Sequence, residues 1–520
     1  MTDFRVDRRN FLKLGVTGAL ALVAPQLARA EGYAFTSELP IPPLREGRIE
    51  NGRWLLELSV RHGERQFLPG YVTPTLGYDQ DYLGPTLKVR SGDKLSIRVE
   101  NRINEPTTVH WHGMIIPARM DGGPHQTIHP GKQWVSEYEV IQPAATLFYH
   151  SHAHGETGQQ VYRGLGGMMI IEDDLSTQPG LPSEYGVDDI PVILQDRDFD
   201  QQGRFEYVRM MPEKMIGKHG ATLLVNGQPM PVLTAKRTLL RLRLLNASNA
   251  RFYQLAFSDR RPFQVIGSDG GLLSQAVTTN TIMLAPAERY EILVDLSDRR
   301  PVMLRSFKGV GNAGHGPMRM MGMDRSFDVM LIDPRGAGQS GPAPALALPQ
   351  IADLTRQPTA NIRELEMQMG AMGGGMMDQR NRPGHMMRPG MMMGMMDTPQ
   401  RGHQTLSSGM MRINGEAFSM HRVDFAMRKN TIETWRIRNA SPMVHPFHIH
   451  NTQFQIVRRD HRGLMPWEYG RKDTVVVYPN ETVDVLVPTG PYSDPDVPYM
   501  YHCHILEHED GGMMGQFTVV

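Results

Sequence analysis

Residues 86–101 read TLKVRSGDKLSIRVEN. Apolar and polar residues alternate on both sides of Ser91-Gly92-Asp93, so each half has the period of a strand with one apolar face. The central three residues favour a turn, and the stretch is expected to be a β-hairpin. A related pattern recurs in KRTLLRLRLLNAS (236–248) and KNTIETWRIRNAS (429–441). A second unit, a turn followed by an alternating strand, also occurs three times: HPGKQWVSEYEV (129–140), APAERYEILVDL (285–296) and YPNETVDVLVPT (478–489). Each set closes on a further strand, GGMMIIEDD, FDVMLID and GQFTVV. Copies separated by roughly 150–200 residues are too far apart for a short-period solenoid and predict three β-sandwich domains. Their expected extents are 31–175, 176–345 and 346–520.

Composition agrees with many short strands. The chain of 520 residues holds 52 glycines and 38 prolines, which suits turns better than long helices. Lys+Arg and Asp+Glu stand at 55 each, so nothing in the charge points to nucleic acid or an acidic surface as partner. The first thirty residues have the layout of an export signal. Arg8 and Arg9 precede an apolar run from Leu14 to Val23, and Ala28 and Ala30 flank a cleavage point before Glu31. The paired arginines favour the Tat route and its export machinery, hence a periplasmic protein, although Asp7 stands where such signals usually carry Ser or Thr. The apolar run is too short to span a bilayer, and no stable membrane insertion is expected. A monomer is expected.

The one cysteine of the chain lies in YHCHILEHEDGGMM, 501–514. A lone cysteine in an exported protein makes no intramolecular disulfide, which leaves ballast, an intermolecular link or a chemically used thiol. On a strand His502 and His504 face one way and Cys503 the other, so this segment can serve two metal sites joined by a short covalent path. His508, Met513 and His445 of HPFHIH can join Cys503. Two imidazoles, a thiolate and a weak thioether suit a blue-copper site, whereas zinc has no use for the thioether. His110 and His112 of HWH, His448 and His450, His502 and His504, and a pair within HSHAH make four His-x-His pairs. Eight imidazoles exceed the needs of one ion and suit three coppers held between the first and third domains; the second domain lacks such pairs and is expected to be structural. Aligning YHSH with YHCH matches His150 to His502 and His152 to His504. Strand geometry alone leaves 150/152 and 152/154 both open. Ser151 at the cysteine position means that the first domain has no blue site of its own.

From about residue 33 to the C-terminus, these motifs resemble a bacterial multicopper oxidase of the periplasmic cuprous oxidase, or copper-efflux oxidase, type. The resemblance implies an all-β chain of three cupredoxin-like Greek-key sandwiches and four copper ions. By the family's pattern His445, Cys503, His508 and Met513 hold the type 1 copper, and His110 and His448 the type 2. One type 3 copper falls to His112, His152 and His504, the other to His154, His450 and His502. That pattern takes 152/154 as the pair. Asp121 and Glu509 match family acids that feed protons to the cluster, although each also suits an ordinary turn or loop carboxylate. The implied activity is oxidation of Cu(I) coupled to reduction of O2 to water, in copper homeostasis, with a laccase-like oxidase of phenols, dyes or siderophores and a non-catalytic copper-binding protein as alternatives.

Residues 367–396 hold twelve methionines. So Gly-rich a stretch, with Pro383 and Pro389, is expected to be a partly disordered insertion in the third domain, extending to about 411. Thioether sulfur prefers Cu(I), which suggests a flap that gathers cuprous ions. By resemblance Met367 and Met443 match substrate Cu(I) positions, while Ser441 and Met372 stand where the family carries aspartates. The cluster HGPMRMMGMD (315–324) has no assigned role.

Overall fold

The computed structural model describes residues 35–308, 325–341, 346–370 and 410–520. The export signal, Met372, most of the methionine-rich insertion and the 315–324 cluster lie outside the described residues. Among the described residues no helix is long and apolar enough to cross a membrane.

Among the described residues six sheets pair into three sandwiches, whose strands lie within 44–172, 189–333 and 362–519. The threefold repetition read from the sequence is a repetition of strand pairing. Lys94–Asn101 pairs antiparallel with Gln133–Glu139, Leu239–Asn246 with Arg289–Asp295, and Ile432–Asn439 with Thr482–Pro488. The first member of each pair also lies parallel to an earlier strand, Arg53–Arg65, Asp189–Arg197 and Ile362–Met369 respectively. The closing strands Gly166–Glu172, Phe327–Asp333 and Met514–Val519 each add a parallel pairing in the opposite sheet of their sandwich.

The expected hairpin at 86–101 is corrected. Thr86–Arg90 and Lys94–Asn101 do not pair; they belong to opposite sheets of the first sandwich. Leu87 and Val89 face Leu95, Ile97 and Val99 across one core, so the Ser91–Asp93 turn carries the chain between layers. Alternation shows which face of a strand is buried, but not whether its neighbour lies beside it or opposite it. The start of the methionine-rich insertion is corrected too. Ile362–Met369 is a regular strand paired with Met411–Ile413. Met367 and Met411 are fully buried in the third core, where a side chain of this size contributes about 1.5–3 kcal/mol. The insertion therefore begins beyond Gly370.

Candidate metal centre

The His445–Ile449 strand lies beside Asp494–Cys503, with Phe447 opposite Cys503 and His448 opposite His502. This register puts consecutive side chains of both strands on alternate faces. On one face the Cys503 sulfur lies 3.2 Å from His445 Nδ1 and 3.6 Å from His508 Nδ1, and the two nitrogens are 3.3 Å apart. His508 Nε2 donates to the Met215 carbonyl at 3.0 Å, and a carbonyl only accepts, so His508 Nδ1 carries a lone pair toward the sulfur. His445 Nε2 is 2.6 Å from Ser441 Oγ. Met513 is buried and its backbone bonds both Cys503 and His508. Burial pushes the Cys503 thiol far above its ordinary range, so the thiolate needs a cation beside it.

On the other face the imidazoles of the first and third sandwiches meet. His110 is opposite His150 in the pairing of His110–His112 with Ala145–His150. His110 Nδ1 donates to the Asp121 carbonyl at 2.9 Å and His448 Nδ1 to the Asp473 carbonyl at 2.8 Å; their Nε2 atoms are buried and unpartnered. His150 Nδ1 donates to the Ser151 carbonyl, and its Nε2 stands 3.4 Å from His112 Nδ1. His504 completes that group, with neither ring nitrogen hydrogen-bonded. The Nε2 atoms of His152 and His450 stand 3.2 and 3.3 Å from His502 Nε2. Lone pairs facing one another at these distances repel unless a cation lies among them.

Three buried carboxylates each face two of these rings. Asp121 Oδ2 accepts from His450 Nδ1 at 2.7 Å, and its Oδ1 lies 3.5 Å from His110 Nδ1. Glu509 reaches His152 Nδ1 at 3.3 Å and His502 Nδ1 at 3.1 Å. Asp473 Oδ1 is 3.0 Å from His112 Nε2 and 3.7 Å from His448 Nδ1. Gly122 fixes the Asp121 turn: its φ is +77°, and a Cβ there would sit 1.7 Å from the Val109 carbonyl oxygen. Asp473 is held by Arg289 of the second sandwich, whose Nη1 and Nη2 lie 2.8 and 2.5 Å from its two oxygens. The expectation that the second domain is only structural is thereby corrected, because Arg289 orients the carboxylate that orients His112.

The structure brings together His110, His112, His152, His448, His450, His502 and His504, and separately His445, Cys503 and His508. It leaves out His154 and brings in His150. Ala145–His150 ends at His150, and Ser151 to Ala153 lead into a turn where Glu156 N donates to the Ala153 carbonyl. His154 sits on that turn, exposed, its ring centroid 5.3 Å from that of Phe418. The 152/154 pair is corrected to 150/152, the pair that the YHSH–YHCH alignment matches. Sequence reasoning missed Asp473 and Arg289, which carry no local motif. Met367 fills the core, and Met443 is buried, its amide bonded to Ser441 Oγ.

Buried neutral nitrogens, a thiol without a charge partner and carboxylates behind the rings form a donor set that fits soft, redox-active cations such as copper. Burial lowers the pKa of nine imidazoles of the site, that of His150 to about 4 and that of His508 to about 4. Asp121 moves oppositely, raised by burial to about 6. Between about pH 6.5 and 4 the unfolded chain binds more protons at each such histidine than the native one, so native stability falls on acidification, by up to about 1.4 kcal/mol per pH unit for each group. Burial also raises the carboxyls of Asp473, Glu507 and Asp510, which act in the same opposite sense as Asp121, but the nine histidines outnumber them. The urea midpoint of metal-free protein should therefore drop steadily from pH 7.5 to 5; a flat profile would show that the rings protonate freely.

Comparison with known proteins gives one consistent family. Multicopper oxidase family models match residues 59–176, 200–307 and 387–520. The chain is 34% identical to multicopper oxidase mco of Staphylococcus aureus, over 93% of this chain and 92% of that one. It is 34% identical to cell division protein FtsP of Salmonella typhimurium, over 99% and 98%. Among solved structures, a laccase from Pediococcus acidilactici superposes with a TM-score of 0.78 at 32% identity, covering 94% of each chain.

Proposed function

Because this chain belongs to the multicopper oxidase family, we propose that it oxidises Cu(I) to Cu(II) and passes the electrons to O2, serving copper homeostasis in the periplasm after Tat export. Four Cu(I) ions would each lose one electron while one O2 takes up four electrons and four protons to give two waters. Bound copper supplies the electron storage and transfer that this stoichiometry requires.

In this reading His445, Cys503 and His508, with Met513, hold the type 1 ion. His110 and His448 hold the type 2 ion; His112, His150 and His504 hold one type 3 ion, and His152, His450 and His502 the other. Four ions per chain result. Asp121 and Glu509 stand where protons are consumed, and the raised pKa of Asp121 lets it carry a proton near neutrality. The observation that carries the proposal is the placement of Cys503 between His502 and His504, its thiol turned to one donor set and its neighbours to the other.

A non-catalytic scaffold, whether or not it serves cell division as the name of the FtsP relative has it, would need no such donor set, yet every ring nitrogen and the thiol are in place. The laccase-like alternative draws on the name of the Pediococcus enzyme. Oxygen uptake by copper-loaded protein, with Cu(I) or a phenol as donor, separates these readings. A scaffold or a copper buffer consumes none. Deleting residues 371–409, which spares the Met367 strand, should lower Cu(I) oxidation several-fold. Undiminished Cu(I) turnover would remove the recruiting role of the methionines.

A further inference from the structure

The outer nitrogen of His508 does not face solvent. It donates to the Met215 carbonyl, in the short helix Met211–Ile216 of the second sandwich, and His508 is completely buried. The segment is fastened to the helix Leu506–Asp510, which carries His508. Lys218 N donates to Glu507 Oε2 at 2.9 Å. Tyr207 Oη and Asn249 Nδ2 each donate to Glu507 Oε1 at 2.8 Å. Gly217 lies so close beneath that a Cβ there would meet Ala250 Cβ at 2.4 Å and Ile505 Cγ2 at 2.6 Å. The other imidazole beside Cys503, His445, turns its outer nitrogen to Ser441 Oγ and is equally buried. Neither ring edge is open to a donor molecule.

We infer that the segment Met211–Lys218 of the second domain selects the electron donor by closing the His508 edge to organic reductants. A phenol gives up one electron and its hydroxyl proton, and transfer is fast only where its ring approaches an imidazole edge. Here the Met215 peptide occupies that place. A single metal ion needs no ring-sized opening, because it gives up one electron and no proton. The selection resides in the described part of the second domain and does not require the methionine-rich insertion. This inference rests on the proposed type 1 role of His508.

Two variants loosen the cap. Gly217→Val places a side chain where none fits, at a φ of +80° that disfavours it. Lys218→Pro removes the amide that donates to Glu507. In metal-free protein, diethyl pyrocarbonate followed by peptide mass spectrometry should leave His508 unmodified in the parent chain and modify it in the variants. In copper-loaded protein, kcat/KM for 2,6-dimethoxyphenol should rise about tenfold or more while that for Cu(I) changes less than about threefold. The inference is overturned if His508 reacts in the parent chain, if it stays protected in both variants, or if it becomes reactive with no gain in phenol oxidation. Failure of the underlying site reading looks different: loaded parent protein would be colourless and oxidise neither donor, while the labelling result stood unchanged.

Discussion

Cys503→Ser should leave a folded, colourless protein that takes up almost no O2 with any donor. Serine matches cysteine in shape but does not ionise in this pocket, and its oxygen is a poor partner for a soft ion. Removal of a supporting residue behind a metal ligand already costs about 10–100-fold in affinity or activity, and loss of the thiolate itself should exceed that. Copper content should fall by about one ion of four, because the imidazoles on the opposite face of the strand keep their positions. The buried hydroxyl gains no certain partner, so about 1–3 kcal/mol of stability should be lost, visible as a lower midpoint of thermal unfolding. Metal analysis, visible absorption and an oxygen electrode test the three parts. Retained oxidase activity in this variant would refute the role given to the thiol.

The second large effect distinguishes two histidines four residues apart. His150→Ala removes one of three converging imidazoles, the other two being His112 and His504, and leaves a buried cavity. Copper content should drop by at least about one ion, and O2 reduction should fall by more than about 100-fold, as for loss of a ligand. His154→Ala touches an exposed ring on a turn and should keep both quantities within about twofold. The reverse outcome, with His154 essential and His150 dispensable, would mean that 151–154 adopts another path in the loaded protein.

This pair shows where sequence reasoning was strong and where it stopped. The alignment of YHSH with YHCH already matched 150/152 to 502/504, because repeats preserve strand register. The family pattern pointed instead to 152/154, which requires the strand to continue past His150. It does not; the chain turns at Ala153. Similarly, TLKVRSGDKLSIRVEN was correctly resolved into two strands and a turn, but its two halves face each other across a core instead of lying side by side. Met367 looked like the start of an insertion by composition, yet its strand partner at Ile413 lies beyond the insertion, and composition has no knowledge of pairing.

The amino-acid sequence by itself determined the all-β class, the threefold repetition, the division of labour between the two faces of the His502–His504 segment and most of the donor residues. Those properties depend on side-chain alternation, which operates over two or three residues. Only the tertiary structure decided that His150 replaces His154, that Asp473 of the third domain and Arg289 of the second hold His112 of the first, and that the Met215 carbonyl covers His508. Each of these joins groups tens to hundreds of positions apart or depends on where a strand ends, and long-range packing of whole sheets sets both.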